Sequence, residues 1–241
     1  MTRYLEIADR LASELGDSVP GSRVVSESEL ARRFGVGRGA ARSALQELER
    51  RLLVRRVRGA GTFVNSRIDY VISRDRPPSW HASVQAAGAT PRSVVRRVDR
   101  VGLPEPEAKW FAREPGSPAY LVVREFYADD LLASWSEEWI PADIVPELDV
   151  AMQVVDSVED VLRQVGRLQL VRTWHRVALE IPPPRVLREL EVEASCPVYR
   201  WENHSRDAAS GRVLRRSTAW TRADVVRVIV ELLETISEEE G

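Results

Sequence analysis

Arg38 and Arg42 stand one helical turn apart, at the start of a run to about Arg51 in which Ala41, Ala44, Leu45, Leu48 and Leu52 mark an apolar stripe. The two arginines fall on the face away from that stripe. Two short β-prone runs follow, Leu53–Val57 and Thr62–Val64, joined across Arg58-Gly59-Ala60-Gly61. A guanidinium near the start of a helix can reach O6 and N7 of guanine in the major groove. A glycine-rich tip between basic strands can lie against phosphates or enter the minor groove without a side-chain clash. The chemistry these residues could do is the reading of duplex DNA. Arg38 alone would fit a solvated helix face; the whole set of helix, turn, arginine pair and basic tip points to DNA.

Other elements must hold that pair in place. Upstream, Leu30, Ala31 and Phe34 share one helical face, and Ser26 with Glu29 fits a capping box. Gly35-Val36-Gly37 then breaks the helix, because glycine tolerates the left-handed backbone of a sharp turn. Residues 3–15 form an opening helix with Leu5, Ile7, Ala8, Leu11, Ala12 and Leu15 as its stripe. Three helices and a β-ribbon make a winged helix-turn-helix over residues 1–66. Residues 67–78, ending in a double proline, read as a linker, and residues 79–241 as a second domain.

Composition agrees with this division. The chain has 241 residues, 44% apolar and 30% charged, as expected for an ordinary water-soluble protein with room for two domains. Net charge is −2, yet residues 1–66 carry +4 and the remainder −6, so the basic half is the half with the DNA-reading pattern. A single cysteine, Cys196, excludes an intramolecular disulfide and a cysteine-cluster metal site, and the three histidines have no metal spacing. No cofactor is expected. No apolar run approaches a membrane span of roughly 20 residues and no signal peptide is visible, so a cytoplasmic protein without membrane contact is expected.

In the second half, helices are expected at Trp80–Ala87, Glu105–Ala112, Ser157–Gln164 and Pro184–Leu190. Strands are expected at Ser93–Val101, Ala119–Ala128, Leu132–Ile140, Leu168–Leu179, Val198–Ser205, Val213–Thr221 and Val225–Leu233. Asp207 to Gly211 reads as a hairpin loop. The fold class is α+β on a mostly antiparallel sheet.

Residues 1–66 resemble the DNA-binding domain of the GntR family of bacterial transcription regulators. The resemblance rests on Ser26-Glu27-x-Glu29-Leu30-Ala31, Phe34-Gly35-Val36, Arg38-x-x-x-Arg42, Ala44-Leu45, Leu48, and Val54-x-Arg56 to Gly61-Thr62-Phe63-Val64. Ser28 departs from the arginine often found after the Ser-Glu pair. Gly39 and Ala40 replace the usual hydroxyl residues, which puts the operator sequence, not the binding of DNA, in question. Expected DNA contacts are Ser26 and Ser28, then Arg38, Gly39 and Arg42, then Arg58, Gly59, Gly61 and Thr62. The second half resembles the effector-binding (UTRA) domain of the HutC subgroup, with its chorismate-lyase-like fold. That likeness rests on the helix near Trp80–Gly88, on Trp139-Ile140-Pro141, and on Asp207-x-x-x-Gly211 to Trp220-x-Arg222-x-Asp224.

In phosphosugar-responsive members of that subgroup, a serine-rich helix start and two arginines on one strand hold a phosphate. The corresponding residues here are Ser79, Trp80 and His81, then Arg124, with Phe126 in place of the second arginine. Ser157 matches a serine on a later helix, and Glu159 replaces an aromatic. Ser136 stands where an acid is usual, with Glu138 close by. Trp220 and Arg222 complete the expected effector contacts. The lost cation and added carboxylates favour a smaller acid, a zwitterion or a largely apolar ligand over a doubly charged phosphosugar. Trp110 is expected in the core and Cys196 as a small buried residue. His175 and His204 read as satisfied polar residues; Arg172 and Arg176 fit solvated strand faces as readily as a site.

The implied function is a ligand-responsive repressor: a homodimer on double-stranded, pseudo-palindromic operator DNA, released by a small-molecule effector. A lyase-like enzyme is a second reading, disfavoured because residues 79–241 carry no nucleophile–base spacing, metal cluster or phosphate loop. A non-specific architectural DNA binder is a third, disfavoured by the large acidic second half.

Overall fold

The computed structural model describes residues 2–16, 18–57, 59–73, 78–192 and 196–231. The chain forms two compact units, one of Met1–Ile68 with Ala223–Arg227, the other of Asp69–Arg222 with Val228–Gly241.

In the first unit, helices α1 (Arg3–Leu15), α2 (Glu27–Phe34) and α3 (Arg38–Arg50) pack through Ile7, Leu11, Leu30, Ala41, Leu45 and Leu48, all nearly inaccessible. The capping box is formed. The Ser26 hydroxyl accepts from the Glu29 N–H at 3.2 Å, and the Glu29 carboxylate accepts from the Ser26 N–H at 2.8 Å. Gly35 takes the left-handed backbone, φ 61°, that the turn into α3 requires. Leu52, expected within the buried stripe of α3, instead lies beyond its end at φ 58° and is half-buried. Strands β1 (Val54–Val57) and β2 (Gly61–Val64) pair antiparallel as the wing.

Part of the stretch read as linker is a strand. β3 (Ile68–Ile72) forms a two-stranded sheet with β10 (Val226–Val230), the Ile68 N–H donating to the Val225 carbonyl at 2.8 Å. Its apolar run IDYVI meets the need of a strand; only polar neighbours suggested a linker.

The second unit is built on a six-stranded sheet. Its strands are β4 (Pro91–Gly102), β5 (Pro118–Ala128), β6 (Leu131–Pro141), β7 (Leu170–Glu180), β8 (Val198–Asp207) and β9 (Val213–Arg222), in the order β4-β5-β6-β9-β8-β7 with every pair antiparallel. Helices α4 (Trp80–Ala86), α5 (Glu105–Trp110), α7 (Val158–Gln164) and α8 (Pro184–Glu189) match the expected four to within two residues, and a short α6 (Leu148–Ala151) was not foreseen. Strand alternation sends Tyr120, Val122 and Ile140 toward α6 and α7, while Val123, Trp135 and Trp220 pack beneath α8. Leu103, Ala108 and Phe111 seat α5. Two expectations about single residues fail. Trp110 is 39% exposed, because α5 ends there and turns its ring outward onto Trp174 and His204. Cys196 is half-buried.

Candidate functional site

Each unit presents one candidate surface. In the first, Arg38, Gly39 and Arg42 are exposed on the start of α3, opposite buried Ala41, Ala44 and Leu45. The Arg42 guanidinium bonds the Glu27 carboxylate at 3.3 Å, and Arg56 on β1 reaches the same carboxylate at 2.9 Å. Such exposed pairs contribute only about 0–1 kcal/mol, so phosphates or base edges can compete for both arginines. Ser28 is exposed, while the Ser26 hydroxyl is committed to its cap. Gly59 and Gly61 adopt φ 79° and 124°, backbone that a side chain would strain. A Cβ at Gly61 would also come within 3.2 Å of the Arg23 guanidinium, which brings a further arginine to the wing that the sequence did not suggest. Thr62 is a correction. It alternates inward with Val64 and is buried, so its side chain cannot face DNA. Arg58 lies outside the described residues.

In the second unit a cavity of about 540 Å³ opens on the face of the sheet that carries α4 and α7. Of the residues expected at an effector site, Ser79, Trp80, His81, Arg124, Phe126, Ser136, Glu138, Ser157 and Glu159 all line it. The two serines are helix caps: Ser79 Oγ accepts from the Ala82 N–H at 3.3 Å and Ser157 Oγ from the Asp160 N–H at 3.2 Å. Trp220 and Arg222 do not line it. On β9 the residues Ser217, Ala219 and Thr221 face the cavity, so alternation turns 220 and 222 to the other side. Trp220 stacks there on Trp135, ring centres 5.4 Å apart, with its indole N–H on Glu180.

The floor of the cavity is charged. Glu138, 1% exposed, accepts from Arg124 through both Nε, at 2.8 Å, and Nη2, and from Arg215 Nη1 at 3.0 Å. Burial pushes the Glu138 carboxyl up, and the two guanidiniums more than reverse this, so it stays ionised below the ordinary carboxylate range. Arg215 is itself buried, which lowers its pKa, but a guanidinium starts high enough to remain a cation. Arg172 comes from β7 to the same floor, where the nearest carboxylate, Glu159, is 3.8 Å away. Burial first, and then Arg172 and Arg215, lower the pKa of His175 to about 4, so the imidazole is neutral at pH 7.

Asn203 and Arg215 are lining residues that sequence reasoning missed. Arg172, which fitted a solvated face as readily as a site, and Trp201 line the cavity too. His175, expected as a satisfied polar residue, lines it with both nitrogens unpartnered. Ordinary alternation would put 172 and 175 on opposite faces. A β-bulge between Arg172 and Trp174, where β7 shifts register on β8, returns both to the cavity. The cation absent at Phe126 is thereby replaced from other strands. A largely apolar ligand does not suit a floor with three guanidiniums, and that expectation loses its basis.

Comparison with known proteins agrees with this architecture. Residues 3–64 match the bacterial regulatory proteins of the gntR family, and residues 86–227 match the UTRA domain. The chain is 28% identical to the HTH-type transcriptional regulator GgaR of Escherichia coli (strain K12) over 230 residues, covering 95% of this chain and 90% of that protein. It is 24% identical to the mannosyl-D-glycerate transport/metabolism system repressor MngR of the same organism, covering 89% of each. The crystal structure of PhnF from Mycobacterium smegmatis shares the fold with a TM-score of 0.63 at 18% identity, over 95% of this chain and 100% of that one. With a DNA-reading unit and a ligand cavity each in place, the chain belongs to the GntR family of UTRA-containing regulators and is a ligand-responsive, DNA-binding transcription regulator.

Proposed function

We propose that this regulator is a cytoplasmic repressor of the HutC subgroup, acting as a homodimer on a pseudo-palindromic operator. Arg38 and Arg42 read the major groove from α3, while the wing glycines, with Arg58, meet the backbone or minor groove. Residues 1–66 serve as the DNA head, residues 67–78 as the connection, and residues 79–241 as the effector and dimerisation domain. A small molecule in the cavity lowers operator affinity by binding the DNA-incompetent arrangement of the dimer more tightly. We assign the cavity a binding role and no catalytic step.

The observation that carries this reading is the set of buried, unpartnered polar groups in the cavity: Ser136 Oγ, Arg172 Nε and Nη1, both His175 nitrogens, Asn203 Oδ1 and Arg215 Nε. Buried polar groups without partners are costly, and a ligand that satisfies them gains what the empty fold forgoes. The test is binding of the purified chain to its own upstream DNA and to a scrambled duplex at one physiological salt concentration. Preferential binding, reversed by a metabolite that also raises the thermal stability of the protein, is the expected result. Equal affinity for both duplexes, and for every genomic fragment in a binding selection, would replace the repressor with an architectural binder.

A further inference from the structure

Two guanidiniums at the floor of the cavity hold donors that the protein itself never uses. Arg215 is 5% exposed, and its Nη1 bonds Glu138, but its Nε has no acceptor. Arg172 has neither Nε nor Nη1 bonded. Glu138 is already shared between Arg124 and Arg215. Glu159, the remaining carboxylate near Arg172, is held by Arg163 at 2.6 Å on its own helix. Three cations thus surround the one fully buried carboxylate of the floor, and the donors left without an acceptor lie on the Arg172–Arg215 side. The other lining carboxylates, Asp156, Glu159 and Asp160, come from α7 and the residues just before it. Ser136 and Asn203, both buried with an unpartnered oxygen, border the same space.

A guanidinium offers parallel N–H donors whose spacing matches two oxygens of one anionic group. The unfilled donors here belong to two guanidiniums from different strands. They converge only because the bulge at Thr173 rotates Arg172 inward. A bulge costs ladder pairing, and re-aiming a side chain into a site is its recurrent use.

We propose that Arg172 and Arg215 form an inner subsite for an oxyanion, a carboxylate or phosphate group carried by the effector. The proposal rests on the reading of this cavity as the effector site. It places the anion at the β7–β9 end of the cavity, away from Phe126 on β5, where the resemblance would have put a second phosphate-binding arginine. Ser136 and Asn203 supply hydrogen bonds to the part of the ligand next to its anionic group.

Two simple probes separate the two sources of an oxyanion: inorganic phosphate and malonate, each titrated into the full chain by calorimetry at constant ionic strength set with chloride. The wild-type chain should bind at least one saturably, and the preferred probe states whether the effector is a phosphate ester or a carboxylic acid. Arg172→Gln should weaken that binding about tenfold or more. Arg172→Lys, which keeps the charge and loses the fork, should fall between. Arg188→Gln on α8 should bind as the wild type does. Circular dichroism separates a folded variant from an unfolded one, and if Arg172→Gln does not fold, Arg172→Lys decides. Unchanged affinity in the folded arginine variants, or no saturable binding of either probe by the wild type, overturns the subsite. Release of operator DNA by a neutral metabolite would also overturn it while leaving the repressor reading intact. Arginine-dependent anion binding by a chain with no operator preference would do the reverse.

Discussion

Arg42 and Arg215 are the same residue put to opposite uses. Arg42 is exposed on α3, in a loose pair with Glu27 that water and salt weaken. Arg215 is buried at the floor of the cavity, where Glu138 must stay ionised to compensate it. The first arrangement costs little to form and little to break, which suits the DNA contact proposed for Arg42. The second is expensive to desolvate and tolerable only as a network, which suits a group whose position has to be settled before a ligand arrives. The difference teaches that solvent access decides how firmly charge is held in this protein: the exposed pair is exchangeable and the buried network is fixed.

The contrast can be broken most severely at Glu138. Glu138→Ala should destabilise the second unit by about 3–5 kcal/mol, because it leaves buried guanidiniums uncompensated. Chemical denaturation of the variant against the wild type measures this, and a loss below about 1 kcal/mol would mean that water screens the floor as it screens Arg42.

Acid should reveal the same asymmetry. His175 has its folded pKa lowered to about 4 from 6.5, so between these values the unfolded chain binds a proton that the folded chain refuses. Stability therefore falls as pH drops from about 6.5 to 4, by at most about 3 kcal/mol, and His175→Gln should flatten that limb of the stability–pH curve. The lowered pKa of Glu138 acts in the same direction at more acidic pH, since stability that depends on its charge is lost as pH falls through its folded value.

A smaller effect, on binding and not on folding, is expected for Arg42→Ala. Operator affinity should weaken by about 1–3 kcal/mol with relaxed preference at one base position, while the denaturation midpoint stays put. A gel-shift series on single-base operator variants reads this, and unchanged binding would show that another face of α3 reads DNA. The smallest effect belongs to the start of α2. Ser26→Ala removes the hydroxyl half of the capping box and should cost about 1 kcal/mol of first-unit stability, measured by thermal denaturation.

The winged unit was legible almost residue by residue, since its determinants are local. Helical spacing named the buried Leu30, Leu45 and Leu48, and Gly35 marked the turn. It failed where a local rule ends: Leu52 fell past the helix, Thr62 followed the strand's alternation inward, and Arg23 reached the wing from a distant stretch of chain. In the second unit, single-strand patterns located β4 to β9 to within a few residues but did not say which strands meet. Arg124, Ser136 and Glu138 were found through likeness to other proteins. Arg215 was not, and Arg172 stayed undecided between a solvated face and a site, since they reach one floor through a six-stranded order and a bulge.

By itself the sequence determined the elements, the DNA-reading motif and the division of charge between two halves, because each depends on spacing within about one turn or one strand pleat. Tertiary structure alone decided the cavity. Strand order, face and register bring residues some 43 positions apart, such as Arg172 and Arg215, around a single buried carboxylate. One bulged residue reverses every face assignment beyond it, and no periodicity within the strand announces where that bulge will fall.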